Sequence, residues 1–321
     1  MPVPAFPQDA NAEEGFLDRH GRPRIYWSRY SPLAPRATVV VIHGGGDHSG
    51  RYAGVTAALV HAGHEVALLD LRGHGRSDGR RWHIHSFSEY LEDVDAFMSK
   101  VRAEGRGRKI FVVAHSMGGL IAARWGLDPG RDIAGFVISQ PYLANASAVP
   151  ALKVFAGRLA GTVFPSLLIK TGLKSSDLTS DPEMQAWTDN DPLCIRTTTA
   201  RWVAETLRAQ ADVLRRASEF CYPLLVLLGT GDLIASPPAG RAFFEAARSI
   251  DKEVRQYEGY LHEIFNELKR EKPIQDAVSW IEARAGAKEA SAGETQTAPS
   301  DRVASPGVSA SGHAGPSLLP P

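Results

Sequence analysis

Ile110-Phe-Val-Val-Ala-His-Ser-Met-Gly-Gly-Leu-Ile-Ala-Ala-Arg124 is the stretch on which the reading of this chain turns. Residues 110–114 (IFVVA) have the near-continuous apolar character of a strand buried on both faces of a parallel sheet. Small residues follow, then an alanine-rich apolar run with the composition of a helix. A strand that turns sharply through His115-Ser116-Met117-Gly118-Gly119 into a helix is the setting in which a G-x-S-x-G pattern carries chemistry. Such a turn lifts the Ser116 hydroxyl above the sheet edge. It also aims the following backbone N–H groups and the helix N-terminus at a reacting oxygen. Alanine stands at 114 where the pattern has its first glycine, which makes the turn tighter. The bland alternative, a serine in a glycine-rich turn, has no reason to follow a buried strand, so Ser116 is expected to be a nucleophile.

Outward from this point the same rhythm repeats. Residues 37–42 (ATVVVI), 65–71 (EVALLDL), 133–139 (IAGFVIS) and 224–228 (LLVLL) are further apolar runs with helical patterns between them. Ser86-Phe-Ser-Glu89 matches a capping box and opens a helical spacing of Phe87, Tyr90, Leu91, Val94, Phe97, Met98 and Val101. Ser236 before Pro237-Pro238 suits a helix first turn. Strand–helix alternation predicts an α/β fold with a mostly parallel sheet covered by helices on both faces. Residues 25–29 are expected to add an antiparallel edge strand. The alternation stops over 143–219, which reads as helices, including 151–160 and 197–216. It predicts a helical cap inserted over the C-terminal edge of the sheet, where ligands bind in open α/β sheets. The core is then 1–142 and 220–288. Residues 289–321, rich in Ala, Ser, Pro and Gly and without aromatic residues, are expected to be disordered.

Bulk composition narrows the function classes. The 321 residues include 36 Lys plus Arg against 36 Asp plus Glu, so no charge excess points to nucleic acid. The two cysteines, Cys194 and Cys221, form no disulfide framework or metal spacing and read as buried thiols in a reducing compartment. No basic start with an apolar run marks a secretory signal, and no stretch approaches the ~20 apolar residues that cross a bilayer. A cytoplasmic location is expected, with peripheral membrane contact allowed.

A serine nucleophile needs a base and an acid at the same sheet edge, in the chain order Ser, Asp or Glu, His. Of eleven histidines only His262 and His313 follow Ser116, and His313 lies in the tail. His262 follows residues 253–257 (EVRQY), a predicted last strand, and is the base. Asp232 directly follows LLVLLGTG at a strand's C-terminal end, where it can orient the imidazole. Asp251 precedes a strand and belongs to the opposite end of the sheet. Asp70 reads as structural, beside Arg72. After residues 37–42, His43-Gly44-Gly45-Gly46-Asp47-His48 forms a loop whose glycines allow close backbone approach. The N–H groups of Gly45 and Met117 are the expected oxyanion donors. No Gly-Lys-Ser/Thr follows that would make it a phosphate cradle. His74, His83, His85 and His115 read as packing and loop-bonding residues, because no carboxylate-rich motif accompanies them; no metal site is expected.

These residues resemble a known family. His43-Gly-Gly-Gly-Asp-His-Ser-Gly-Arg-Tyr52, Asp70-Leu-Arg-Gly-His-Gly-Arg-Ser77, His115-Ser-Met-Gly-Gly119, Gly229-Thr-Gly-Asp232, Leu261-His-Glu-Ile-Phe-Asn-Glu267 and, in the cap, Asn190-Asp-Pro-Leu193 are similar to motifs of the monoacylglycerol lipases and lysophospholipase-like α/β-hydrolases. The resemblance runs from about residue 14 to 284. It implies an α/β-hydrolase fold with a mobile helical cap and hydrolysis of single-chain acyl esters without a cofactor. It also implies that Ser116, Asp232 and His262 are the triad, that Gly45 and Met117 serve the oxyanion, and that Asp47 and Arg51 lie near the polar head group. Asp47 is shorter than the glutamate usual there, and Gly45 replaces a more common alanine or phenylalanine. A general carboxylesterase or haloperoxidase on the same scaffold, and a ligand-binding hydrolase-fold protein, remain alternatives. The expected partner is a small lipid ester. The apolar set at 152–169, with Phe155 and Leu168 taken as substrate-binding residues, is expected to line the cleft and to touch a membrane surface through the cap.

Overall fold

The computed structural model describes residues 3–105, 107–147 and 150–286. The tail at 289–321, expected to be disordered, lies outside the described residues.

Eight strands form one twisted sheet in the order β1-β2-β4-β3-β5-β6-β9-β10. They are β1 (Asn11–Leu17), β2 (Ile25–Ser31), β3 (Thr38–Ile42), β4 (Glu65–Leu69), β5 (Ile110–His115), β6 (Gly135–Ser139), β9 (Leu224–Gly229) and β10 (Lys252–Tyr257). From β4 to β10 all pairings are parallel, whereas β1 and β2 pair antiparallel with each other and β2 antiparallel with β4. The apolar runs are strands because both faces are covered: every residue of β3, β4, β5, β6 and β9 is buried. One face packs on α2 (Ser88–Glu104), α3 (Met117–Gly126) and α8 (Pro237–Ala246); the other packs on α1 (Ala53–His61) and α9 (Glu271–Ala285).

Three local expectations need correction. Residues 25–29 do form an antiparallel strand, but β1 lies outside it and takes the edge. β1 is charged and mostly exposed (NAEEGFL), so it lacks the apolar run by which the inner strands were recognised. The capping box is displaced by one residue. α2 begins at Ser88, and the Glu89 carboxylate accepts from the His85 N–H at 2.7 Å instead of the Ser86 N–H. The helix expected at Pro237-Pro238 is present, and Ser236 caps it, its hydroxyl accepting from the Ala239 N–H at 3.3 Å. Cys221 is exposed, its neighbour Phe220 taking the buried place at the approach to β9, and Cys194 is only half-buried.

Between β6 and β9 the chain leaves the sheet and forms α4 (Ala151–Val163), β7 (Leu168–Lys170), α5 (Ser175–Leu178), α6 (Pro182–Asn190), β8 (Thr197–Thr199) and α7 (Ala200–Arg216). The segment is not wholly helical as expected, since β7 and β8 form a short antiparallel ribbon. Three-residue strands leave too little sequence for a period to show. The first turn of the expected helix at 197–216 is therefore extended, and Thr199 caps α7 through its side chain, accepting from the Trp202 N–H.

The insertion is bonded to the loops at the C-terminal edge of the sheet. The Ile195 N–H donates to the Gly46 carbonyl (2.8 Å), the Glu263 N–H to the Leu178 carbonyl (2.7 Å), and His48 Nε2 bonds Asp191 (2.9 Å). No helix among the described residues is long and apolar enough to cross a membrane.

Candidate active site

β5 delivers Ser116 directly to the N-terminus of α3. Ser116 has φ 53° and ψ −116°, a conformation that costs an ordinary residue about 1–3 kcal/mol and persists only where its surroundings hold it. The surroundings are the sheet and the segments that follow it: its N–H donates to the Ser139 carbonyl of β6 (3.0 Å), and its carbonyl accepts from Leu120 of α3 and from Tyr142 just beyond β6. Gly118 permits the turn, because a Cβ there would lie 2.3 Å from the Ile42 carbonyl oxygen. Ala114, in contrast, is fully buried within β5 and needs no special conformation.

Parallel strands end at the same edge of the sheet, and this brings Asp232 and His262 to Ser116 across more than a hundred residues of chain. His262 Nε2 lies 2.8 Å from Ser116 Oγ, and His262 Nδ1 lies 2.7 Å from Asp232 Oδ2. An ionised carboxylate only accepts, so Nδ1 carries the proton and Nε2 is free to accept from the serine hydroxyl. The second oxygen of Asp232 accepts from the Ile234 N–H (2.7 Å) and the Ala235 N–H (3.0 Å), so the carboxylate is fixed before it meets the ring. Asp251, the competing acid, is bonded instead to Arg284 at 2.7 Å. His115 was read as a packing residue. It is buried, with its ring centroid 4.8 Å from that of His262, and burial followed by the neighbouring His262 pushes it down to about 3. It therefore stays neutral and adds no competing charge beside that ring.

The loop after β3 faces the same point. Gly44 lies against the His115 and Ser116 side chains, and a Cβ on Gly45 would stand 3.6 Å from the Met117 Cβ. Neither the Gly45 N–H nor the Met117 N–H donates to an acceptor among the described residues. The glycine at 45 has a steric cause: a Cβ there would come within 2.7 Å of the buried Trp82 indole. Trp82 occupies the space that a larger residue at 45 would take.

Ser116 and His262 line a cleft of about 240 Å³, closed on its other side by residues of the insertion including Leu173, Leu178, Ile195 and Val203. Asp47 and Arg51 line it too, together with an acid that sequence reasoning passed over. Arg51 Nη2 donates to Glu263 (2.6 Å), its Nε lies 3.2 Å from Asp47, and its guanidinium stacks 4.8 Å from the Trp187 ring. Burial raises the Asp47 pKa against the pull of Arg51, while Arg51 and Asn266 hold Glu263 below the usual carboxylate value despite its burial. The only signal in the sequence was the place of Glu263 directly after His262; its burial was not visible there.

Phe155 and Leu168 are not where they were expected. Both are 64 % exposed and neither lines the cleft; of the set at 152–169 Ile169 does line it, and more of the apolar inner wall comes from residues further along the insertion. The helical spacing showed that 152–169 has an apolar face, but not which way that face points. His48, Asp191 and Cys194 bring N, O and S atoms within 4.8 Å of one another, a cluster split between loop and insertion that no sequence spacing displays. His74 and His83 do serve as loop-bonding residues, to the Arg72 carbonyl and the Thr199 hydroxyl. Asp70 is structural but is bonded to the Ser49 and Arg76 N–H groups, while Arg72 pairs with Asp93 and Glu89.

A mostly parallel eight-stranded sheet, with a strained serine at a strand-to-helix turn and an imidazole over it, defines an α/β-hydrolase. Residues 34–269 match the family described as serine aminopeptidase, S33, and the chain belongs to that family. A phospholipase of Bacillus subtilis, YtpA, is 32% identical over 74% of this chain and 92% of its own length. A monoacylglycerol lipase of Mycolicibacterium smegmatis is 30% identical over 81% of this chain and 94% of its own. The crystal structure of a monoacylglycerol lipase from Paleococcus ferrophilus superposes with a TM-score of 0.75 at 30% identity, covering 81% of this chain and 99% of that one. The resemblance read from the sequence therefore holds, and the chain is a carboxylic-ester hydrolase of the monoacylglycerol lipase-like and lysophospholipase-like group.

Proposed function

We propose that the protein hydrolyses single-chain acyl esters, monoacylglycerols first, through an acyl-enzyme on Ser116. The observation that carries this is the hydrogen-bond series from Asp232 through His262 to Ser116, buried at one end of an apolar cleft. His262 takes the serine proton as the hydroxyl attacks the ester carbonyl, and Asp232 stabilises the imidazolium so formed. The N–H groups of Gly45 and Met117 take the negative charge of the tetrahedral oxygen. The imidazolium then gives its proton to the leaving alcohol, and a water activated in the same way frees the fatty acid. Residues 143–219 act as the cap that selects the acyl chain. Each methylene buried against its wall contributes ~0.8 kcal/mol, so kcat/KM rises from acetyl to long chains.

The exposed face of the cap supports contact with a lipid surface. Leu152, Phe155, Leu159 and Val163 recur at helical spacing along α4, Phe164, Leu167 and Leu168 follow in the chain, and all are 52–77 % exposed. No acidic residue occurs between Asp132 and Asp177, whereas Arg158, Lys170 and Lys174 do. An exposed apolar set of this size marks an interaction site, and a basic border suits anionic headgroups.

A fluorophosphonate probe tests the reading. It labels the wild type and not Ser116→Ala, and the variant loses roughly six orders of magnitude in turnover of a long-chain monoacylglycerol. Labelling of Ser116→Ala, or turnover within about tenfold of wild type, would overturn the assignment.

A further inference from the structure

Arg51 lines the cleft and is 2 % exposed, yet its Nη1 is buried with no partner among the described residues. A buried, unanswered donor on a charged group is costly enough to require an explanation. The other nitrogens are engaged, Nη2 by Glu263 and Nε by Asp47. On the facing carboxylate, Arg51 and Asn266 both bond Glu263 Oε2, leaving Oε1 without a partner among the described residues. Both residues line the cleft, so its wall holds an unanswered donor on Arg51 and an unanswered acceptor on Glu263. A hydroxyl group, which both donates and accepts, satisfies such a pair; a phosphate oxygen can use only the donor.

Charge points the same way. Arg51 is already answered by Glu263 and by Asp47, so the wall has no positive charge to spare for an anion. The other cations on the cleft, Lys170 and Arg196, are on the cap side; Lys170 is exposed, and Arg196, 40 % exposed, bonds Asp189. Solvent screens both. Position completes the argument, on the reading that Ser116 and His262 are the nucleophile and base. The base protonates the departing alcohol, so the alcohol half of the ester lies beside His262, and Glu263 is its chain neighbour.

We propose that Glu263, acting with Arg51, is the specificity-determining residue for the alcohol half of the substrate: it selects an uncharged polyol and rejects a phosphate-bearing head group. Glu263→Gln keeps the shape and an acceptor for Arg51 while removing the charge. Wild type and E263Q are compared on three esters of one acyl chain: the monoacylglycerol, the 1-acyl glycerol 3-phosphate, and the p-nitrophenyl ester, which has no head-group hydroxyl. At an effective dielectric near 20, a unit charge about 6 Å away alters binding roughly a hundredfold. We therefore expect the phosphate-to-glycerol ratio of kcat/KM to rise at least ~10-fold in E263Q. Persistent p-nitrophenyl turnover with that ratio unchanged within about twofold overturns the proposal alone. A wild type that turns over none of the three sinks the esterase reading and the proposal with it.

If E263Q does not fold, the unmodified protein still decides. The ether lipid 1-O-hexadecylglycerol cannot be hydrolysed and should inhibit at least ~10-fold more tightly than its 3-phosphate. Equal or tighter inhibition by the phosphate overturns the assignment of Glu263.

Discussion

Replacing Gly118 by alanine tests whether the serine turn is held by the sheet. A Cβ at 118 would stand 2.3 Å from the Ile42 carbonyl oxygen and 2.5 Å from that of His43, where ordinary contact begins at 3.4 Å. The obstructing atoms are backbone, and Ile42 ends β3, which is paired on both sides by β4 and β5. They cannot swing away as a side chain would, so the turn itself must move by roughly 1 Å, a displacement that can cost about a hundredfold in rate. Overpacking against rigid neighbours costs about 3 kcal/mol, the upper part of the usual range. For a domain of this size that lowers Tm by roughly 6–12 °C. Gly157→Ala is the matched control: it lies within α4, its nearest obstacle is Val203 Cγ1 at 3.9 Å, and alanine there should stabilise by about 0.5–1 kcal/mol. Thermal melts and kcat/KM on a soluble ester read both effects. If G118A melts within about 2 °C of wild type and keeps its rate within about threefold, the sheet does not hold the serine as argued.

Asp232→Asn should leave the fold intact and lower kcat by roughly 10⁴, because an amide no longer favours the Nδ1-protonated ring; an undiminished rate in this variant, with Asp251→Asn inactive, would reverse the choice of acid. Phe155→Asp with Leu168→Asp should fold, both positions being exposed, and should lose sedimentation with anionic vesicles; undiminished vesicle binding would remove the cap face from the docking surface.

The central strands, the serine turn and the order Ser116, Asp232, His262 were legible in the sequence because each is written locally. A buried parallel strand announces itself by a continuous apolar run, and a strand-to-helix turn needs small residues at fixed positions beside the serine. The parallel arrangement of those strands then leaves Ser116, Asp232 and His262 at one edge of the sheet, whatever the loops between them do. Three-residue strands and a charged edge strand write no such period, and β1, β7 and β8 went unread. Which face of α4 turns inward is decided by α7 and the loops it packs on, so the periodicity that displayed the apolar residues around Phe155 and Leu168 could not say that they face outward. The pairing of Arg51 with Glu263 joins positions 212 residues apart. Its meaning depends on burial, since the same two charges in water would be worth little and only a closed, low-dielectric wall makes them a selective surface.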